Sequence, residues 1–219
     1  MSGRTKAAAA ADGATAVRQE EIDRLWLAAL QRLAGGIAHE LRNALNGVAV
    51  NLEVVRTRSA REGVAASALG SFAGSASEQL EQVIVMTESL VALGRVARQA
   101  ATIGRYADQV AALIRPPLVA NGGTLDLVVE GEGTTRVPAD AARLFVAAAL
   151  QTAAEGAGPA MGGGGEVHCR VRPVAGVELA IDGRFATPPR LAHEIERVAS
   201  ALGVGVYSTA SSITLTFPA

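Results

Sequence analysis

The chain has 219 residues, enough for one large domain or two small ones. Its formal net charge of −1 gives no electrostatic case for nucleic acid or an anionic membrane as a partner, and no run of about 18 strongly apolar residues predicts a membrane span. The single cysteine, Cys169, excludes an internal disulfide and a cysteine-based metal cage, and it favours the cytoplasm as the compartment.

The N-terminal part of the chain predicts a tail and then a long amphipathic helix. Residues 1–16 are predicted to be disordered, and residues 17–100 to form a helical-hairpin domain. A helix is predicted over 18–60 because apolar residues recur at helical spacing, at Leu30, Leu33, Ile37, Leu41, Leu45, Val48, Leu52 and Val55. The pair Gly35-Gly36 weakens this helix locally, since each glycine costs about 1 kcal/mol relative to alanine.

A second helix is predicted to complete an antiparallel hairpin. Residues 61–74 are rich in Gly, Ala and Ser and predict a connection. The run Ser75-Ala76-Ser77-Glu78 has the pattern of a capping box and predicts the start of a helix that ends near Gln99. A hairpin alone cannot cover its apolar stripes, so we expect a homodimer in which two hairpins dock as a four-helix bundle.

The second half of the chain, residues 101–219, predicts a domain of mixed helices and strands. In chain order the pattern predicts a helix over 106–119, a strand over 124–129, a helix over 138–155, strands over 166–172 and 177–181, a helix over 190–202, and strands over 205–208 and 213–217. This order is typical of an α+β sandwich with helices on one face of a mixed sheet.

One histidine of the first predicted helix points away from the apolar stripe. At about 100° per residue, His39 lies about 180° from that stripe, and Asn43, four residues on, lies near it on the same outer face. The run Ala38-His39-Glu40-Leu41-Arg42-Asn43-Ala44-Leu45 resembles the phospho-accepting box of bacterial sensor histidine kinases, A-H-E-[LI]-R-N-P-L. Seven of the eight positions agree, and the family proline is replaced by Ala44.

The resemblance implies roles for three residues of this helix, and two further residues are candidates for binding. His39 would be the phospho-acceptor, Glu40 would orient or deprotonate its imidazole, and Asn43 would help to position water for dephosphorylating a receiver. Arg42 would bind a phosphoryl group, and Asn46 is a further binding candidate. The bland alternative for Glu40, Arg42 and Asn43 is ordinary surface polarity.

Residues 101–219 resemble the ATP-binding domain that follows the hairpin in histidine kinases, but the nucleotide motifs are degenerate. The family helix N-L-L-x-N-A-x-x-A, whose second asparagine holds magnesium, has Ala148 and Thr152 in place of its two asparagines. The family motif D-x-G-x-G keeps only Asp182, because Arg184 and Ala186 replace glycines that let the backbone approach the nucleotide.

The family's lid and its second glycine-rich turn have no counterpart. Only Gly183 to Pro189 separate the strand from the next helix, which is too short for both elements. The sequence therefore argues against ATP-driven autophosphorylation and predicts no resident cofactor and no metal site. The resemblance implies that the magnesium needed for phosphoryl transfer comes from a partner receiver domain.

These features point to a histidine phosphotransferase of a bacterial two-component phosphorelay, closest in kind to the dimeric histidine phosphotransferases. His39 would take a phosphoryl group from the aspartate of one response-regulator receiver and give it to the aspartate of another. Three alternatives stay open: a non-catalytic pseudokinase scaffold, a receiver phosphatase that uses Asn43 and His39 to place water, and an ATP-dependent sensor histidine kinase.

Overall fold

The computed structural model describes residues 3–61, 65–95, 101–131, 133–157 and 165–219, with side chains described from residue 19 onward. Its elements are α1 (Gly3–Ser59), α2 (Ser67–Gly94), β1 (Ala101–Thr102), α3 (Ile103–Ala120), β2 (Thr124–Val129), β3 (Thr134–Thr135), α4 (Ala139–Gly156), β4 (Glu166–Val174), β5 (Gly176–Gly183), α5 (His193–Ala201), β6 (Gly205–Ser208) and β7 (Ser212–Pro218). The predicted α+β class is confirmed. Within the described ranges, no helix has both the length and the apolar character needed to cross a membrane.

Helices α1 and α2 form the predicted antiparallel hairpin. Near its closed end the Arg58 guanidinium lies 4.7 Å from the centroid of the Phe72 ring, and further along Asn51 Nδ2 donates to Gln79 Oε1 at 3.2 Å. A Cβ at Gly47 would lie only 2.3 Å from Gln79 Nε2, so the glycine allows this polar pair to fit between the helices. In these contacts, residue numbers rise along α1 as they fall along α2. The contacts therefore determine which residues of α1 lie opposite which residues of α2.

Helix α2 begins earlier than the sequence predicts. It starts at Ser67, so Ser75 to Glu78 lie inside the helix and do not cap it. The prediction was wrong because composition suggested a loop, whereas Phe72, Ala76 and Gln79 follow helical spacing and turn toward α1. Packing against α1 thus outweighs the low helix propensity of the Gly and Ser residues.

Helix α1 begins at Gly3, so its helical backbone includes most of the segment for which the sequence predicts disorder. The disorder of residues 1–16 stays a prediction. So does the domain boundary between residues 100 and 101, which falls next to residues 96–100, outside the described ranges.

The second half of the chain folds around a five-stranded mixed sheet with the order β2-β4-β5-β7-β6. Only β2 and β4 pair in parallel; the other neighbours are antiparallel. Alternate residues of the three central strands form one buried face, namely Val167, Cys169, Val171, Val177, Leu179, Ile181, Ile213, Leu215 and Phe217. Helices α3 and α4 pack on this face, and α5 lies beside β6. Burial raises the pKa of the Cys169 thiol to about 12, so this cysteine is an unreactive core residue.

The first half of α1 packs on the sandwich and leaves the hairpin stripe to its second half. Ile22, Trp26, Ala29, Leu33 and Ile37 are buried, and they join the core of α3, α4 and the sheet in one continuous cluster. The sequence predicted which face of the helix is apolar, but it assigned this whole stripe to a bundle of hairpins. The structure packs Leu33 and Ile37 against the sandwich, whereas Leu45 and Leu52 of the same stripe are exposed on the hairpin.

A buried arginine ties the end of the hairpin to the sandwich. Arg143 of α4 is only 4% exposed, and its Nη1 donates to the carbonyl oxygen of Leu93 at 2.6 Å and to that of Arg95. Its Nη2 pairs with Asp140, and its guanidinium lies 5.0 Å from the Trp26 ring centroid. One side chain therefore contacts the C-terminus of α2, the first half of α1 and the first turn of α4.

Candidate functional site

The orientation of His39 is fixed by the buried residues on either side of it along α1. Ile37 is 1% exposed against the sandwich, and Ala44 is 7% exposed against α2. At about 100° per residue, His39 faces well away from both. Its side chain is exposed, and among the described residues none forms a hydrogen bond or ion pair with it. The imidazole is thus open to a partner molecule.

His39 belongs to a strip of exposed residues along one side of α1. We define the His39 strip as His39, Asn43, Asn46 and Val50, which are all exposed. Their spacing of four, three and four residues keeps them within about 60° of one another around the helix. The structure therefore brings three of the five predicted site residues to one surface.

The other two predicted site residues lie off this strip. Arg42 is exposed on its flank. Glu40 is half-buried on the side that faces α2 and the sandwich, and among the described residues it forms no hydrogen bond with His39. Its proposed role in orienting the imidazole stays a prediction.

Val50 is the member of the strip that sequence reasoning missed. This side chain is 63% exposed, although it is large and apolar. It was overlooked because it falls outside the apolar stripe, but its position eleven residues beyond His39 could have revealed it.

A small cavity opens next to the turn that precedes His39. Its volume is about 220 Å³, and it lies between α1, α3 and α4. Its apolar lining includes Ile37 and Leu113, while Arg32, Gly36 and Glu155 lie among its more exposed residues. Gln151 reaches across from α4 and donates from Nε2 to the carbonyl oxygen of Ala29 at 3.2 Å. This bond helps to hold α1 on the sandwich ten residues before His39.

The residues that remain from the nucleotide motifs do not come together. Thr152 lies on α4, which is packed against the inner face of the sheet. Asp182 alternates with buried Ile181 along β5 and is exposed on the outer face, paired across the strands with His168. Since a sheet separates the two side chains, they form no shared site.

The loop after β5 packs closely onto the end of α4. A Cβ at Gly156 would lie 3.4 Å from Phe185 Cδ1 and 2.8 Å from the carbonyl oxygen of Thr187. The backbone N–H of Ala186 donates to the carbonyl oxygen of Gly156 at 2.7 Å. The degenerate motif is therefore a packed structural turn, and the predicted seven-residue segment leads directly toward α5.

The hairpin exposes large apolar side chains on the side opposite the His39 strip. They are Leu45, Leu52, Leu80, Ile84 and Val91, each 46–53% exposed. On each helix, these side chains lie about 100° around the helix axis from the residues that contact the other helix. When each helix is viewed along its own chain direction, the rotation has the same sense in both. Because the two helices are antiparallel, both sets face one side of the hairpin, which we call the apolar face. The His39 strip is rotated by a similar angle in the opposite sense.

In the described ranges, no group of three or more His, Cys, Asp and Glu side chains is arranged to hold a metal ion. His168 lies 4.0 Å from Asp126 on the outer face of the sheet, but both are well exposed.

Comparison with known proteins gives similarity only at the level of solved structures. No family model matches the sequence, and no curated protein matches it. The blue-light activated histidine kinase EL346 of Erythrobacter litoralis is 15% identical with a TM-score of 0.44, over 66% of this chain and 54% of that chain. The chain thus spans about half the length of that protein.

Two shorter solved structures are covered almost completely. The histidine kinase domain of EL346 is 15% identical with a TM-score of 0.47, over 86% of this chain and 93% of that domain. A bacterial phosphotransferase is 17% identical with a TM-score of 0.45, over 85% of this chain and 94% of that one. At these values the similarity is one of general fold, so a function must be argued from this chain's own residues. The solved structures that this chain resembles in overall fold are thus histidine kinase and phosphotransferase domains.

Proposed function

We propose that this protein is a histidine phosphotransferase that carries phosphoryl groups between receiver domains on His39. The observation that carries the proposal is the exposed imidazole of His39 within the run Ala38 to Leu45, held outward on a helix that is packed on both sides of it. The separation of Thr152 from Asp182 favours a phosphoryl donor other than ATP bound by this chain.

The proposed chemistry needs little from the chain beyond a positioned nucleophile. The unprotonated ring nitrogen of His39 attacks the phosphorus of an aspartyl phosphate, forming an N–P bond while the P–O bond to the aspartate breaks. The aspartate leaves as a carboxylate, and the reverse exchange passes the phosphoryl group to a second receiver. Alignment and charge stabilisation dominate such transfers, and the receiver brings its own magnesium ion for the latter.

We propose that the protein forms a dimer through the apolar face of the hairpin. Five large apolar side chains on one side of two helices favour a second copy of the same hairpin, because a four-helix bundle buries all of them. The His39 strip lies on the opposite side, so dimerisation leaves the imidazole accessible. Each dimer would then present two His39 strips to receivers.

The dimer is tested by placing a charge on the apolar face. We expect Ile84→Glu to convert the dimer into a monomer, because a carboxylate at the centre of a bundle costs several kcal/mol. The measurement is light scattering coupled to size exclusion. Val50→Glu is the matched control, since Val50 is 63% exposed on the other side of the hairpin, and it should leave the dimer intact. A dimeric Ile84→Glu variant would contradict this assembly.

The phosphoryl donor distinguishes the proposed function from its alternatives. The protein is incubated with radiolabelled ATP and magnesium, and separately with receiver domains charged by acetyl phosphate. Acid-labile label that comes only from a charged receiver supports the phosphotransferase. Label from ATP alone would identify a kinase, and loss of receiver phosphate without label would identify a phosphatase. Binding of a receiver with neither effect would identify a scaffold.

A further inference from the structure

The turn of α1 that precedes His39 is built from two glycines with empty space around them. A Cβ added at Gly35 or Gly36 would meet no atom within 4 Å outside the local helix. Both residues lie inside α1, where alanine is a better helix former than glycine. The described part of the protein therefore gives no steric reason for glycine at either position.

Helix geometry directs the side chain of His39 toward this turn. Side chains on an α-helix lean toward its N-terminus, so His39 covers the surface three and four residues before it. Gly36 and Gly35 occupy those two positions. Around the helix axis, Gly36 lies about 60° to one side of His39 and Gly35 about 40° to the other. On the C-terminal side, by contrast, the positions three and four residues after His39 carry the side chains of Arg42 and Asn43. On the N-terminal side of His39, these two positions thus carry no side chain and have open space around them.

We propose that Gly35 and Gly36 provide the clearance through which a folded receiver domain brings its aspartyl phosphate to His39. This inference rests on the proposed function. In-line attack requires the phosphorus, the leaving oxygen and the ring nitrogen to be aligned. A phosphoryl group attached to a folded domain reaches this alignment only if the loops of that domain approach the α1 backbone closely. A methyl group at either glycine would occupy that space.

The test compares two phosphoryl donors of very different size. Gly35→Ala and Gly36→Ala are assayed with the charged receiver that labels the wild type, and with phosphoramidate, a small chemical donor. Each variant should raise Tm by about 2–4 °C through better helix propensity. Each should slow transfer from the receiver about 100-fold, because misplacement by about 1 Å costs that much. Labelling by phosphoramidate should not change.

Gly74→Ala is the matched control. Gly74 is also an exposed helical glycine with nothing within 4 Å of an added Cβ. It lies near the closed end of the hairpin beside Phe72, whose partner Arg58 is about 28 Å along the helix axis from His39. This variant should gain similar stability and transfer at the wild-type rate.

The outcomes separate this inference from the proposed function. Wild-type transfer rates in both Gly35→Ala and Gly36→Ala would contradict the proposed role of the two glycines, but they would not contradict the proposed phosphotransferase function. An equal loss with both donors would also contradict that role of the glycines, because the imidazole itself would then have changed. If no charged receiver labels the wild type, the proposed function fails first.

Discussion

His39→Gln is expected to accept no detectable phosphoryl group from any charged receiver. Glutamine keeps a polar side chain of similar length, but its amide nitrogen is not a nucleophile at neutral pH. Stability should change by less than about 0.5 kcal/mol, because His39 is exposed and the described residues give it no partner. The measurement is the time course of acid-labile label, together with thermal unfolding of the same sample.

The other two histidines of the chain serve as matched controls for His39. His168 lies on the outer face of β4 and His193 at the start of α5, and both are exposed. His168→Gln and His193→Gln should therefore take up label as the wild type does. Label that persists in His39→Gln, or that disappears in one of the controls, would contradict the assignment of His39.

The second large effect is expected at Arg143. Replacing this 4%-exposed arginine by methionine should lower the free energy of unfolding by about 2–3 kcal/mol, because hydrogen bonds from a buried charged donor are lost. The substitution leaves Asp140 without its partner and removes the donor to the carbonyl oxygens of Leu93 and Arg95. Denaturant unfolding of the wild type and the variant gives the difference directly.

An exposed ion pair of the same spacing provides the comparison for Arg143. Arg56 bonds Glu53 three residues before it on α1, just as Arg143 bonds Asp140 on α4. Arg56→Met should leave the unfolding curve almost unchanged, since both partners of this pair are exposed to solvent. Equal effects of the two substitutions would show that Arg143 does not anchor the hairpin to the sandwich.

A firm junction between hairpin and sandwich has a functional consequence under the proposed role. The ion pairs Arg24–Glu194 and Arg197–Glu21, the bond from Gln151 to Ala29 and the Arg143 contacts all join α1 or α2 to the sandwich. The sandwich then works as a fixed support for the phospho-acceptor helix. A phosphotransferase needs only such a support, because its phosphoryl donor arrives on another molecule.

Most of the sheet could be predicted from the sequence because one of its faces is buried and the other is exposed. Alternation along β4 and β5 follows directly from that asymmetry, and the structure extends each predicted strand by only a few residues. The two-residue strands β1 and β3 were missed because two residues carry no periodic signal. The start of α2 was missed because packing outweighed composition.

The candidate site was predictable in orientation but not in its surroundings. Helical periodicity placed His39 and Asn43 on the outer side of α1, where the structure has them together with Asn46. The same periodicity shows which face of a helix is apolar, but it does not identify what covers that face. The docking of Leu33 and Ile37 on the sandwich therefore had to come from the structure. Strand alternation along β5 also predicts that Asp182 points to the outer face of the sheet, a conclusion that the sequence-based interpretation did not include.

The most direct test is to map the phosphoryl group after a single exchange with a charged receiver. The wild-type protein is mixed with excess phosphorylated receiver and no ATP, digested at neutral to mildly basic pH, and sequenced by mass spectrometry. The account predicts one added phosphoryl group, on the peptide that contains His39 and on that residue. A phosphoryl group on another residue, or an unmodified His39 with every receiver that the protein binds, would contradict it.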